Sequence, residues 1–131
     1  MLDAFKSEQV EFMRGKILSG LGQAQYFISR EGYSRQFQER LGFVPFPGTL
    51  NVLLEEPFPA ERQAIEIEGF AEEGRSFGEC RCYPIKLNGI EAAVVRPEKS
   101  RYPAELIEII APVKLRALGL EDGDAVEVIL L

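Results

Sequence analysis

Thr49 and Asn51 stand two residues apart in Gly42–Leu54, GFVPFPGTLNVLL, a segment that reads as part of a ligand site. In a strand, residues two apart project from the same face, so a hydroxyl and an amide carbonyl emerge together. Both are hard oxygen donors of the kind Mg²⁺ accepts, an ion that keeps several waters and leans on substrate phosphates. Pro45 and Pro47 stiffen the approach, and Gly48 can take the turn into the strand. Spacing alone leaves a second meaning open, a buttressing loop whose Thr and Asn satisfy backbone groups.

Two further segments carry groups suited to phosphate chemistry. Ser19-Gly20-Leu21-Gly22-Gln23-Ala24-Gln25 follows an expected strand, and its paired glycines let backbone N–H groups approach a phosphate closely. It is neither a Walker A loop nor a full G-x-G-x-x-G, and a plain glycine-rich turn is the competing account. In Arg96–Arg116, RPEKSRYPAELIEIIAPVKLR, Glu108 interrupts an apolar strand, and a buried acid needs a partner or a task. A structural ion pair with Arg or Lys would serve as well. Ser100 sits in a basic, proline-bounded loop able to close over a ligand. Ala111-Pro112-Val113 breaks the strand and sets up the Lys114–Arg116 turn, where N–H groups and cations can meet phosphate or base. Glu55, Glu56, Glu61, Glu72 and Glu73 read as solvated faces. Asp122-Gly123-Asp124 reads as a turn, because it lacks the downstream bidentate Glu of a calcium loop.

Composition narrows the chemistry. The chain has no histidine, which excludes Ser-His-Asp and Cys-His nucleophilic machinery and histidine-based zinc or iron sites. Carboxylates, hydroxyls, amides, cations and a hard metal ion remain, and phosphoryl transfer needs little else, since it rests on positioning and charge stabilisation. A net charge of −6 argues against a protein that coats nucleic acid. Cys80 and Cys82, separated by Arg81, are too close for an ordinary disulfide and too few for zinc, and read as small buried residues. No apolar run approaches the ~20 residues of a membrane span. Met1–Lys16 lacks the order of a signal peptide, so a cytoplasmic protein is expected.

These groups need a scaffold, and 131 residues that are 46% hydrophobic suffice for one domain with a real core. Ser7–Met13 is expected to form a short helix, Gly15–Ser19 a strand, and Gln25–Ser29 a second one. Ser34–Leu41 is expected to be a helix with Ser34 as cap, Phe37 and Leu41 on one face and Gly42 as its stop. Strands follow at Thr49–Leu54, Ala64–Phe70, Phe77–Leu87, Ile90–Arg96, Leu106–Ala111 and Ala125–Leu131, with a hairpin turn at Asn88-Gly89 and a short helix at Val113–Leu118. About seven short strands without a β-α-β rhythm point to a closed or nearly closed antiparallel barrel, which removes exposed edges.

In order and separation, SGLGQAQYFIS (Ser19–Ser29), LGFVPFPGTLNVLL (Leu41–Leu54) and RPEKS…LIEIIAPVKLRALGLEDGDAVEV (Arg96–Val128) resemble the CTP-dependent riboflavin kinase family of archaea. The resemblance covers nearly the whole chain after residue 14. It implies a mainly β fold, a compact six-stranded cradle-loop barrel over 15–131 with a few short helices, and 1–14 as an N-terminal extension. It implies transfer of the γ-phosphate of CTP to the 5′-hydroxyl of riboflavin, giving FMN and CDP.

By the family's pattern, Gly20, Leu21, Gly22, Gln23, Ala24 and Gln25, with Val113, Lys114, Leu115 and Arg116, would hold the cytidine nucleotide. Thr49 and Asn51 would bind Mg²⁺, while Ser100 and Glu108 would contact the flavin. Glu108 would also orient or deprotonate the ribityl hydroxyl, and Lys16, Lys114 and Arg116 are candidate charge stabilisers. The chain departs from the pattern at Gln23 and Ala24, where Gly-Leu-Gly-Glu-Gly is frequent, and at Ser100, where threonine is common. Some relatives carry an N-terminal winged helix, for which residues 1–14 are too few, so neither nucleic acid nor membrane is expected as a partner. A monomer or weak homo-oligomer is expected. The alternative is a non-catalytic nucleotide- or flavin-binding barrel.

Overall fold

A computed structural model describes residues 11–20, 27–98 and 100–131. Among the described residues there are nine strands: β1 (Glu11–Leu18), β2 (Leu50–Leu54), β3 (Ile65–Ile67), β4 (Phe70–Glu72), β5 (Arg75–Phe77), β6 (Cys80–Leu87), β7 (Ile90–Pro97), β8 (Leu106–Ile110) and β9 (Ala125–Leu130). One helix described along its whole length, α1 (Glu31–Leu41), and a 3₁₀ turn at Leu115–Leu118 accompany the strands.

Six strands close on themselves in the order β6-β7-β8-β2-β1-β9, with β9 pairing back to β6, and every pairing is antiparallel. The six-stranded barrel expected from the motifs is therefore present. Closure depends on β6 changing partner along its length. Cys80–Cys82 pair with β3, whereas Ile85–Leu87 pair with β9. Pro84 lies between the two stretches, where a residue without an N–H interrupts no ladder.

Period-2 alternation sorts the side chains into two cores. Ile17, Leu50, Val52, Tyr83, Ile85, Leu87, Val94, Ile107, Ile109, Val126 and Val128 fill the barrel. Each fully buried aliphatic side chain contributes about 1.5–3 kcal/mol. The opposite face of β6, β7 and β8 presents Cys80, Cys82, Ala93, Val95 and Ile110 to Tyr33 and Phe37 of α1 and to Phe43 and Phe77. Both cysteines are free and buried, as expected, and the Cys80 hydrogen bond together with burial pushes the Cys82 thiol up.

Local predictions held where the signal was local. Gly42 stops α1 at φ +86 and donates its N–H to the Gln38 carbonyl. Asn88 and Gly89 both take positive φ in the β6–β7 hairpin. Other boundaries moved. Helix α1 begins at Glu31, three residues before Ser34, and its N-cap Arg30 makes no side-chain cap. Met13 belongs to β1, where it pairs with Val128, because the β9 partner overrides a helical reading of Ser7–Met13; residues 7–10 of that reading lie outside the described residues. Phe27 and Ile28 are helical rather than extended, with Ile28 packed into the outer core. Ala64–Phe70 and Phe77–Leu87 each divide, because Phe70–Phe77 folds back as a separate β4–β5 hairpin. Gly69 permits this close return: a Cβ there would meet the Phe77 carbonyl at 2.7 Å.

Candidate functional site

Register gathers most of the chemically suited residues at one end of the barrel. Strand β1 ends at Leu18 opposite Asn51, β2 starts at Leu50 opposite Ile109, and β9 starts at Ala125 opposite Lys16. Ser19-Gly20, Thr49, the Val113–Arg116 turn and the Asp122 turn therefore share one rim. A cleft of about 120 Å³ opens there, lined by residues that include Phe46, Gly48, Thr49, Val113, Lys114 and Arg116. The Phe46 N–H donates to the Ala111 carbonyl at 2.8 Å, which pins the proline loop to the end of β8. Phe46 itself keeps 43% of its surface exposed.

Asn51 and Glu108 lie directly opposite each other on β2 and β8. Leu50 and Val52 point into the barrel, as do Ile107 and Ile109, so alternation turns Asn51 and Glu108 to the outer face together. The Thr49 hydroxyl donates to Glu108 Oε1 at 3.2 Å. Thr49 is thus common to the carboxylate and to the cleft.

Asn51 is the one buried polar residue among the described residues, 8% exposed, and its Oδ1 has no hydrogen-bond partner. A buried carbonyl oxygen without a donor is costly unless something else fills the role. A hard cation fits that oxygen and the neighbouring Thr49 hydroxyl. No cluster of three acidic or cysteine side chains suited to a metal occurs among the described residues, so substrate oxygens and water would have to complete the ion's shell.

Glu108 is half-buried, and burial raises its pKa above the usual carboxylate value; the Thr49 hydrogen bond and the Arg96 charge partly oppose this. Its hydrogen-bond partner is a hydroxyl rather than the cation that a structural ion pair would need. Arg96 acts on it through space while donating to the Leu106 carbonyl at 3.3 Å. Ser100 lies in the loop between β7 and β8, at the end of that hairpin away from Val113. Its N–H donates to the Pro97 carbonyl, and its hydroxyl accepts the Tyr102 N–H at 3.3 Å. Glu108 occupies the middle of β8, between the Ser100 loop and the Val113 turn.

Of the glycine segment, Gly20 is described and exposed, while Leu21, Gly22, Gln23, Ala24 and Gln25 lie outside the described residues. Sequence reasoning missed Asp122. Its carboxylate accepts the Ser19 hydroxyl and an Arg116 guanidinium N–H, and these two bonds hold its pKa below the usual aspartate value. The only available signal was its position six residues after Arg116 in a tight turn.

The chain is similar to known proteins over most of its length. The family model CTP-dep_RFKase (Domain of unknown function DUF120) matches residues 17–130. The riboflavin kinase of Methanocella arvoryzae is 56% identical over 128 residues, covering 96% of this chain and 60% of the relative. That of Methanosarcina acetivorans is 50% identical over 144 residues, covering 95% and 61%. That of Ignicoccus hospitalis is 49% identical over 125 residues, covering 89% and 69%. The chain spans about 60% of the length of the first two relatives. Matched over nearly its whole described length, the chain belongs to the archaeal CTP-dependent riboflavin kinase family.

Proposed function

We propose that this chain transfers the γ-phosphate of CTP to the 5′-hydroxyl of riboflavin, yielding FMN and CDP with Mg²⁺. The observation that carries the reading is the position of Thr49, which lines the cleft beside Val113–Arg116 and donates to Glu108. It connects a phosphate-binding rim to a carboxylate with a raised pKa, as in-line transfer to a hydroxyl needs.

In this reading the Gly20–Gln25 loop and the Val113–Arg116 turn bind the cytidine nucleotide, with Lys114 and Arg116 facing its phosphates. Thr49 Oγ1 and Asn51 Oδ1 hold the metal ion. When bound, Mg²⁺ supplies charge neutralisation on the phosphate oxygens. Ser100 and Glu108 hold the flavin, and Glu108 accepts the hydrogen bond of the ribityl hydroxyl. The raised pKa brings this carboxylate nearer the working pH of a general base. The proton lost from the hydroxyl goes to Glu108, and the phosphoryl group passes to the freed oxygen as CDP leaves. The family name favours CTP, while Gln23 and Ala24 change the nucleotide loop, so nucleotide choice is part of the test.

Incubation with riboflavin, Mg²⁺ and each nucleoside triphosphate separately should yield FMN, most of it with CTP. Tight binding of CDP or FMN without turnover would instead favour the non-catalytic barrel. A chain stabilised by neither ligand has no such site.

A further inference from the structure

The Asp122-Gly123-Asp124 turn builds itself without the Asp122 side chain. The Gly123 N–H donates to the Ile17 carbonyl at 2.8 Å, the Ile17 N–H to Asp124 at 3.0 Å, and the Asp124 N–H to Glu121 at 3.0 Å. The Asp124 carboxylate accepts the Glu121 N–H at 2.8 Å, and Gly123 supplies the positive φ of +86°. The Asp122 carboxylate is left over from this construction, and both of its oxygens are engaged elsewhere. Oδ1 accepts an Arg116 N–H at 2.6 Å. Oδ2 accepts the hydroxyl of Ser19, which lies 103 residues away in sequence. The second terminal nitrogen of Arg116 donates to the Leu18 carbonyl at 3.4 Å.

We propose that Asp122 is a positioning residue for the nucleotide, fastening the Arg116 guanidinium to the Ser19-Gly20 root of the glycine loop. The proposal rests on the kinase reading above, which assigns the nucleotide to these two segments. A guanidinium carries five N–H donors in one plane. Bonds to Asp122 and Leu18 fix that plane and leave the other donors for an anion. One carboxylate thereby brings the cation of the turn and the first residues of the loop to the phosphates in a single registration. The Arg116 and Asp122 side chains are 39% and 50% exposed, and exposed ion pairs contribute little to stability. Removing Asp122 should therefore disturb the geometry of the rim far more than the fold.

The test combines calorimetric titration with CDP, steady-state kinetics and thermal unfolding on wild type, D122A, D122N, R116A and the D122A/R116A double variant. We expect D122A to weaken CDP binding and raise the KM for CTP about tenfold, as loss of a charge-assisted contact would. The riboflavin KM should be unchanged and Tm should fall by no more than a few degrees. D122N, which keeps an acceptor for Ser19 but loses the charge, should fall between. In the R116A background, D122A should add less than about twofold, because a residue acting through Arg116 has nothing left to position. If D122A does not fold, D122N and its R116A double variant carry the same comparison. Unchanged CDP affinity and CTP KM in a well-folded variant overturn the proposal while leaving the kinase reading intact, as do equal losses for both substrates. A wild-type chain that binds no CDP and makes no FMN overturns the kinase reading, and the proposal with it.

Discussion

The two halves of the site are built on opposite plans. Asn51 and Glu108 stand within strands and Thr49 immediately before β2, all partly or wholly buried, and their relative placement is set by the β2–β8 register. Arg116, Asp122 and Ser19 sit in exposed turns and are held by one another's side chains. Burial makes the first group electrostatically potent, because charges and dipoles act strongly where water is scarce. It also leaves Asn51 Oδ1 without a partner and raises the Glu108 pKa. The second group bears no such penalty and contributes little to stability. In the proposed reaction, the buried half would face the reacting atoms and the solvated half the nucleotide.

This contrast predicts how each half fails. Asn51→Ala should have the largest effect, lowering the rate of FMN formation about 100-fold or more, roughly 3 kcal/mol of transition-state stabilisation. Because the substitution removes an oxygen that no protein donor satisfies, Tm should change by only a few degrees. Steady-state rates across a Mg²⁺ titration, set beside thermal melts, check both parts. Simple unfolding would assign Asn51 to the scaffold.

Glu108→Gln should come next, lowering kcat about 100-fold with little change in the CTP KM, if the carboxylate deprotonates the hydroxyl. Turnover at the normal rate with an unchanged riboflavin KM would remove that role. On the solvated half, Arg116→Lys keeps the charge but loses the planar fork that reaches Asp122 and Leu18 together. We expect the CTP KM to rise about fivefold to tenfold, with kcat changed much less. A kcat loss as large as that of Asn51→Ala would erase the distinction between the two halves.

The same contrast explains what could be read from the sequence. Gly42 and the Asn88-Gly89 turn were legible because positive φ is a local requirement that few residues meet. The barrel was legible because period-2 alternation and many short strands leave few other solutions. Glu108 was legible as an acid out of place in an apolar strand, and Thr49 and Asn51 as two hard oxygen donors spaced two residues apart. Their meeting was not, since it depends on a register between segments 59 residues apart. Asp122 was read correctly as part of a turn, yet its second task depends on Ser19 at the far end of the chain, and no local pattern encodes that. Ser34 failed as a cap because packing of Tyr33 and Phe37 against the barrel extends α1 three residues further back.

The smallest expected effect is on stability and isolates the burial of Glu108. Its pKa in the folded chain lies above the ordinary 4.5, with burial the largest cause. The folded state therefore binds this proton more tightly than the unfolded chain does. Below about pH 4.5 the carboxyl is protonated in both states and burial carries no charge penalty. As pH rises through 4.5 toward the raised folded value, the unfolded chain ionises first and stability is lost. At neutral pH the whole penalty is present. The amide introduced by Glu108→Gln keeps an acceptor for the Thr49 hydroxyl and has nothing to titrate. The Tm of this variant should thus exceed that of wild type at pH 7, and the gap should shrink as pH is lowered through the carboxylate range. Melting curves of both proteins between about pH 4 and 8 measure it. A gap that stays constant over that range would mean that Glu108 is not held in a desolvated setting, and the division between a buried reacting half and a solvated binding half would lose its electrostatic basis.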